Sequence, residues 1–388
     1  MHFLEVGSTL VQMFLFWEVT TVCSWALIGF YEREPEALAA AQKAFLMTAG
    51  GGLALLAAVI ALLALTHSAG FDAFARLPVA ARGAAGALAV LLLIGAWAKS
   101  GQAPFHTWLP SAMVAPSPVS AYLHAASMVN AGVYLVLRVA LANAPAPPTV
   151  ALAALGPGGL AGLMPESHPL PMALAWLVGA MAVVTLVLTV AQFFYQDDLK
   201  RLLALSTMSQ LALVLLGAAL ALAGSMRAAQ GATLHILAHG VGKALLFLSV
   251  GSLSYAAGTR HIRDLSGVFA RAPIPAMGFL IGALTVTGVP PFAGFWSKLL
   301  IVTGAVSLGG VGIAVGALIV LESLVAFAWL LWVGQKVFLG APSPAVAGMG
   351  PRSIGMDLSL VILMVLCVGI VLVGMPLAAA VGPSGLGG

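Results

Sequence analysis

His235, His239 and Lys243 recur at i, i+4 and i+8 in TLHILAHGVGKALLFLSVG, among residues that are otherwise apolar or small. On a helix that spacing sets all three on one face, one turn apart. Two chemistries could use such a ladder. Two histidines at i, i+4 can hold zinc, but HILAH lacks the glutamate of HEXXH and the neighbouring lysine disfavours a cation. No metal or cofactor is therefore expected. Proton exchange fits better, because imidazole titrates near neutrality and a desolvated lysine readily gives up its proton. The plainer account is three side chains bonded to nearby carbonyls. Ionisable groups at membrane depth default to function, which favours the relay with Lys243 as its centre.

Other ionisable residues sit just as expensively. Glu18 stands in FLFWEVTTVCSWALIGF, with apolar residues on both sides. A carboxylate there must be protonated, paired or hydrated, and Lys99 is its expected partner. A static pair that fixes helix register is the alternative for these two. Lys99 closes one apolar run of AKSGQAPFHTWLPSAMVAPSPVSAYLHAASMVNAGV, and Pro104 and Pro110 interrupt the chain just beyond it. A lysine near a helix end could simply snorkel. His124 lies inside the next run, as a relay histidine or one merely bonded between helices. His106, after the break, is read as interfacial. Lys298 follows the Pro290–Pro291 break, and Glu322 lies in GALIVLESLVAF. Lys298 either passes its proton to an exit or pairs with Glu322. In Asp197-Asp198-Leu-Lys-Arg the acids suit the positive end of a helix dipole, and Lys200 stands where it could connect two halves. Ser206, Thr207, Ser209 and Gln210 come next and could hold water or bond across helices.

Positioning these groups requires a membrane protein. Of 388 residues, 61% are hydrophobic and 7% charged, whereas soluble domains carry about 25% charged residues. The net charge of +4 forms no basic stripe, so nucleic acid is not an expected partner. Cys23 and Cys367 both fall in apolar runs and build no disulfide framework or CxxC site. No signal peptide is evident, and the first span is expected to serve as an uncleaved insertion signal.

Hydrophobic runs predict an all-α integral membrane chain of ten transmembrane helices. They are Val6–Ile28, Phe45–Leu65, Ala84–Gln102, Val119–Leu141 and Met172–Phe194, then Leu202–Ala223, Thr233–Tyr255, Met277–Val302, Val311–Phe338 and Leu358–Leu377. The Pro/Gly/Ala-rich stretch 142–171 reads as a loop joining two halves. Nine Lys and Arg then collect on one face (Arg33, Lys43, Lys200, Arg201, Arg260, Arg263, Arg271, Lys336, Arg352) against four on the other (Arg76, Arg82, Arg138, Arg227). The positive-inside rule puts the first face in the cytoplasm and the N-terminus outside, in an inner cell membrane.

The two broken segments match. Each combines a proline break, an aromatic flank and one lysine, and an ionisable residue follows about as far on: His124 lies 25 residues after Lys99, Glu322 24 after Lys298. Corresponding broken segments mark repeat-built transporters with sites at mid-membrane. The halves are expected at 1–141, a first and incomplete half-channel of four helices, and 172–340, a second of five, with 341–388 as C-terminal helix and tail.

The run from Ala98 to Arg138, with DLKRLLALSTMSQL, HILAHGVGKALLFLSVG and PPFAGFWSKLLI in the expected order, resembles the antiporter-like proton-translocating membrane subunits. These occur in respiratory complex I, membrane-bound hydrogenases and Mrp-type cation/proton antiporters, and GTRHIRDLSG is most similar to the large Mrp subunit and its complex I counterpart. The resemblance implies two inverted five-helix repeats, each with a broken helix. It makes Glu18 and Lys99, with His124 beside them, the first half-channel. Lys200 becomes the link, His235, His239 and Lys243 the central relay, and Lys298 the terminal lysine; Glu322 is added from its position alone. Family members have about four helices ahead of the Glu18 helix, a count that comes from the resemblance, hydropathy identifying only the helices present. Either a partner subunit supplies them, or the first half-channel is incomplete. The expected function is to move H+, in exchange for Na+ or as the pump of a redox-driven complex, with other membrane subunits as partners. No flavin, quinone, iron–sulfur or nucleotide motif is visible, so the chain is expected to have no catalytic site of its own. A non-conducting scaffold is the alternative from another class.

Overall fold

The computed structural model describes residues 9–125, 128–143 and 172–381. Most of the expected connecting loop 142–171 lies outside them. Among the described residues the chain is helical, apart from one isolated antiparallel bridge between Asp198 and His261. The long helices are α1 (Leu10–Ile28), α2 (Pro35–Thr66), α3 (Ala85–Ser100), α4 (Ser117–His124), α5 (Met128–Ala142) and α6 (Met172–Phe193). They continue as α7 (Leu199–Leu222), α8 (Met226–Ala257), α9 (Pro273–Thr287), α10 (Ala293–Val306), α11 (Gly310–Phe338) and α12 (Ile354–Ala379). Nine segments among the described residues are long and apolar enough to span a bilayer, and α9 and α10 are shorter apolar helices. These two occupy the place of the expected eighth span, so nine of the ten expected spans are found among the described residues and the eighth is divided into two shorter helices.

Starts and stops follow local chemistry. Thr9, Ser225 and Ser353 each accept a backbone N–H at the head of α1, α8 and α12, and Pro35 opens α2 where its missing N–H costs nothing. Inside a membrane every freed carbonyl needs a partner, and both breaks supply them. Below α3, Gly101 turns the chain at φ 59°. There the Trp108 indole donates to Ala98 O at 2.9 Å, and Thr185 of α6 accepts Ala103 N–H at 3.0 Å. Between α9 and α10, Gly288 turns at φ 87°, and Lys298 donates to Thr287 O at 3.2 Å.

The helices pack in a line from α1 through α2, α3 and α5 to α7, which lies at the centre, buried between α5, α6 and α8. Contacts sort the cations to two ends. Arg201 reaches Glu36, Lys43 donates to Thr107 O, Arg260 to Met113 O and Arg352 to Arg271 O. At the opposite end Arg76 pairs with Asp72, and Arg138 lies over the Phe71 ring. This is the division expected from the charge count. The fourth span falls where it was expected, and its described helix is Ser117–His124 and Met128–Ala142, with Asn130 Nδ2 donating to Ala125 O at 2.7 Å. His124 is the last residue of the first of these.

Candidate functional site

The polar face of α7 organises the site. Its Ser206 hydroxyl and Leu203 carbonyl both accept from Lys243 Nζ, the second at 3.1 Å. One turn on, Ser209 and Gln210 donate to Glu322 Oε1 of α11 at 3.3 and 2.8 Å. Glu322 Oε2 lies 3.4 Å from Lys298 Nζ, which also donates to Ser323 Oγ at 2.9 Å. Lys243, Glu322 and Lys298 are thus strung along one buried helix, at 0%, 2% and 6% exposure. Ser206, Ser209 and Gln210 are tolerated there because each has a partner on a neighbouring helix, while Thr207 bonds back to Leu203 O of its own.

His235 joins the same line from α8. Its Nδ1 lies 2.9 Å from Ser297 Oγ, one residue before Lys298. Because the Ser297 hydroxyl donates to Gly294 O at 2.9 Å, the pair is satisfied with the proton on Nδ1. His239 is fully buried with both ring nitrogens lacking a hydrogen-bond partner. Groups of that kind take internal water. Among the described residues no cluster of three or more His, Cys, Asp or Glu could hold a metal.

In the first half the direct Glu18–Lys99 pair expected from sequence is not formed. Lys99 Nζ donates instead to Trp17 O at 2.8 Å and Thr21 Oγ1 at 2.7 Å, both on α1, with the Trp17 ring 5.0 Å away. The carbonyl and hydroxyl on the wall of α1 lie within hydrogen-bond distance of the ammonium, and the Glu18 carboxylate does not. Glu18 turns to α2, where a Cβ on Gly52 would collide with its carboxylate, and its Oε1 is buried without a hydrogen-bond partner. His124 does not sit beside Lys99 as its repeat position suggested. Its ring packs on Phe247 of α8, centroids 4.8 Å apart. The matching spacings thus have different outcomes: Lys298 meets Glu322, whereas Lys99 does not meet His124.

Lys200 lies at the Arg260 end of α7 and donates to Ala115 O at 2.7 Å, joining α7 to the segment before α4. Asp198 caps α7 through Lys200 N–H and Arg201 N–H and pairs with Arg260 at 2.6 Å. The expected use of Ser206, Ser209 and Gln210 across helices is realised. Ser297, Ser323 and Gly52 are not evident from the sequence reading. Ser297 and Ser323 flank Lys298 and Glu322 in sequence, a signal that was available, while the role of Gly52 needs the packing of α1 on α2.

A bundle of apolar helices, broken twice beside a lysine and threaded by buried ionisable groups, defines a multi-pass membrane protein. The family described as NADH:quinone oxidoreductase/Mrp antiporter membrane region matches residues 7–155 and 140–325, and the chain belongs to it. Among curated relatives, the chloroplastic NAD(P)H-quinone oxidoreductase subunit 5 of Zygnema circumcarinatum is 37% identical over 314 residues, 76% of this chain and 40% of its own length. A probable K(+)/H(+) antiporter subunit of Rhizobium meliloti is 34% identical over 94% of this chain and 35% of its own. The chain therefore spans about two fifths of the relatives it matches. Among solved structures, a chain of the Mrp complex from Dietzia sp. superposes with TM-score 0.78 at 30% identity, covering 99% of this chain and 39% of that one. An archaeal membrane-bound sulfane sulfur reductase chain shares the fold at TM-score 0.75 and 23% identity, over 93% of this chain and 56% of that one.

Proposed function

We propose that the chain is the proton-translocating, antiporter-like subunit of a multisubunit membrane complex. The observation that carries this is the buried polar line from Lys243 through Ser206, Ser209 and Gln210 to Glu322 and Lys298, with His235 bonded to Ser297 one residue before Lys298. Nothing about packing alone calls for a buried lysine–carboxylate–lysine string in an apolar bundle, since each desolvated charge costs several kcal/mol. In this proposal Lys243 is the central proton store and Lys298 with Glu322 the terminal exchange pair. Lys200, His124, Lys99 and Glu18 serve the other half-channel, with residues 1–141 and 172–340 as the two halves. The Arg201–Arg260 end faces the cytoplasm of an inner membrane, leaving the N-terminus outside.

Exchange of H+ for Na+ or K+ is supported by the Rhizobium relative, whose name gives K(+)/H(+) antiport. Redox-driven pumping is the second account, supported by the equally similar quinone oxidoreductase subunit. Lys243→Ala is expected to abolish pH-gradient formation by the reconstituted complex while partner subunits still co-purify. Wild-type proton movement in that variant refutes the relay and leaves a scaffold. Partner identity separates the two drives: redox subunits indicate pumping, and only small hydrophobic subunits indicate antiport.

A further inference from the structure

A second polar region lies beside the relay without joining it. At the Arg260 end a cavity of about 740 Å³ is lined by Lys200, Arg260, Ser117, Gly251 and Ser252. Ser252 is 2% exposed, and its hydroxyl has no hydrogen-bond partner. The cavity has the polar groups and the room to hold water.

Helices α4 and α8 run antiparallel beneath it, and their register is explicit. Ser117 lies where a Cβ on Gly251 would stand, His124 packs on Phe247, and Ala125 O lies 3.4 Å from a Cβ built on Gly240. Lys243, Phe247 and Gly251 are each four residues apart on α8, hence on one face at roughly 6 Å intervals. Phe247, fully buried, therefore lies on that face midway between Gly251, at the cavity wall, and Lys243. Polar atoms flank it: Ser252 and Lys200 at the cavity, the unpartnered ring nitrogens of His124 against Phe247 itself, and those of His239 one turn beyond Lys243 on α8.

We infer that Phe247, held by the His124 ring, is a hydrophobic gate that separates a hydrated vestibule at Lys200 from the Lys243 relay. The inference rests on the proton-translocation proposal and adds the element that keeps its two aqueous regions apart. A constriction lined by apolar groups stops conduction by excluding water. With it closed, Lys243 is reached from the Arg260 end only when one of the stacked rings turns aside. Without it, a continuous water file would short-circuit the relay. Phe247 acts as a positioning residue for water and carries no proton itself.

Two readouts test the gate. In proteoliposomes containing the complex and a trapped pH dye, Phe247→Ala is expected to raise passive proton leak several-fold after an acid jump. Phe247→Leu, which keeps an apolar plug, stays near wild type. A wild-type leak in Phe247→Ala overturns the gate. The second readout needs no transport and works with Phe247 intact, so a variant that fails to assemble does not block it. With Cys23 and Cys367 replaced by serine, silver ion serves as a water-sized thiol probe. Ser252→Cys is expected to react rapidly from the Arg260 end and Ser206→Cys, beside Lys243, to be protected. Equal reactivity of the two thiols overturns the gate. If Lys243→Ala leaves translocation intact, the relay fails, while the labelling contrast still decides whether Phe247 excludes water.

Discussion

Breaking the Lys298–Glu322 pair separates a structural pin from a working pair. In Glu322→Ala, Lys298 keeps Thr287 O at 3.2 Å and Ser323 Oγ at 2.9 Å but loses its anion. Gln210 and Ser209 lose their shared acceptor. Removing one member of a buried pair costs about 3–5 kcal/mol. The two surviving acceptors on Lys298 pull the cost toward the lower end, and the orphaned Gln210 amide adds about 1–3 kcal/mol. A loss of about 4 kcal/mol is expected, not additive between the two causes. Lys298→Met with Glu322→Gln removes both charges, while Gln at 322 retains an acceptor for Gln210 and Ser209. That double variant is expected to regain most of the stability lost in its two singles, Glu322→Gln and Lys298→Met, and the cycle of these four proteins gives a coupling of about 2–3 kcal/mol.

Reversible unfolding in mixed micelles measures the cycle, and dye-loaded proteoliposomes measure translocation. A static pin predicts that the double variant recovers both stability and flux. The exchange pair predicts recovered stability with flux still absent, because methionine carries no proton. A coupling below about 0.5 kcal/mol refutes the energetics. Wild-type flux in the double variant refutes the role.

Two further substitutions probe the frame. Gly52→Ala drives a Cβ into the end of the flexible Glu18 side chain, which must turn aside, and is expected to reduce flux with a stability change within about 1 kcal/mol; Gly50→Ala, with open space around its Cβ, should leave flux unchanged and stabilise the helix by about 0.5–1 kcal/mol. Asp198→Ala removes the cap of α7 and a part-exposed pair with Arg260. It is expected to cost about 1–2 kcal/mol in unfolding experiments, most of it regained in Asp198→Asn.

Nine of the spans and the two breaks were legible in the sequence because both follow from local composition: apolar runs about as long as a bilayer is thick, and proline beside glycine. The shared placement of His235, His239 and Lys243 was legible for the same reason, since they lie on one helix and their spacing fixes their face. Partnerships between helices were not. Glu18 and Lys99 carry opposite charges in neighbouring spans, yet the ammonium goes to Trp17 O and Thr21. That outcome depends on rotation and depth of α1 against α3, which hydropathy does not encode. Repeat spacing puts His124 in the wrong neighbourhood, because spacing along the chain says nothing of register between helices. The antiparallel register of α4 on α8, set by the contact at Gly251, turns it to Phe247 instead.

The two broken helices answer one demand with different electrostatics. Each lysine donates to a main-chain carbonyl inside the bilayer, where a free ammonium is expensive. Lys298 uses the carbonyl its own break releases, Thr287 O, and still reaches Glu322 at 3.4 Å. Its charge is compensated on the spot, and the pair is closed. Lys99 uses a carbonyl of another helix and has hydroxyl and indole for company, while the Glu18 Oε1 beside it goes unpartnered. Charge and countercharge there are adjacent without contact. In the proposed relay that difference sets the order of events. An open pair responds to a proton or cation arriving at Glu18, because the carboxylate has no bond to give up first. A closed pair releases its proton only when Lys298 and Glu322 part. Under that proposal the first half-channel is the side that loads, and Lys298 the side that must be opened.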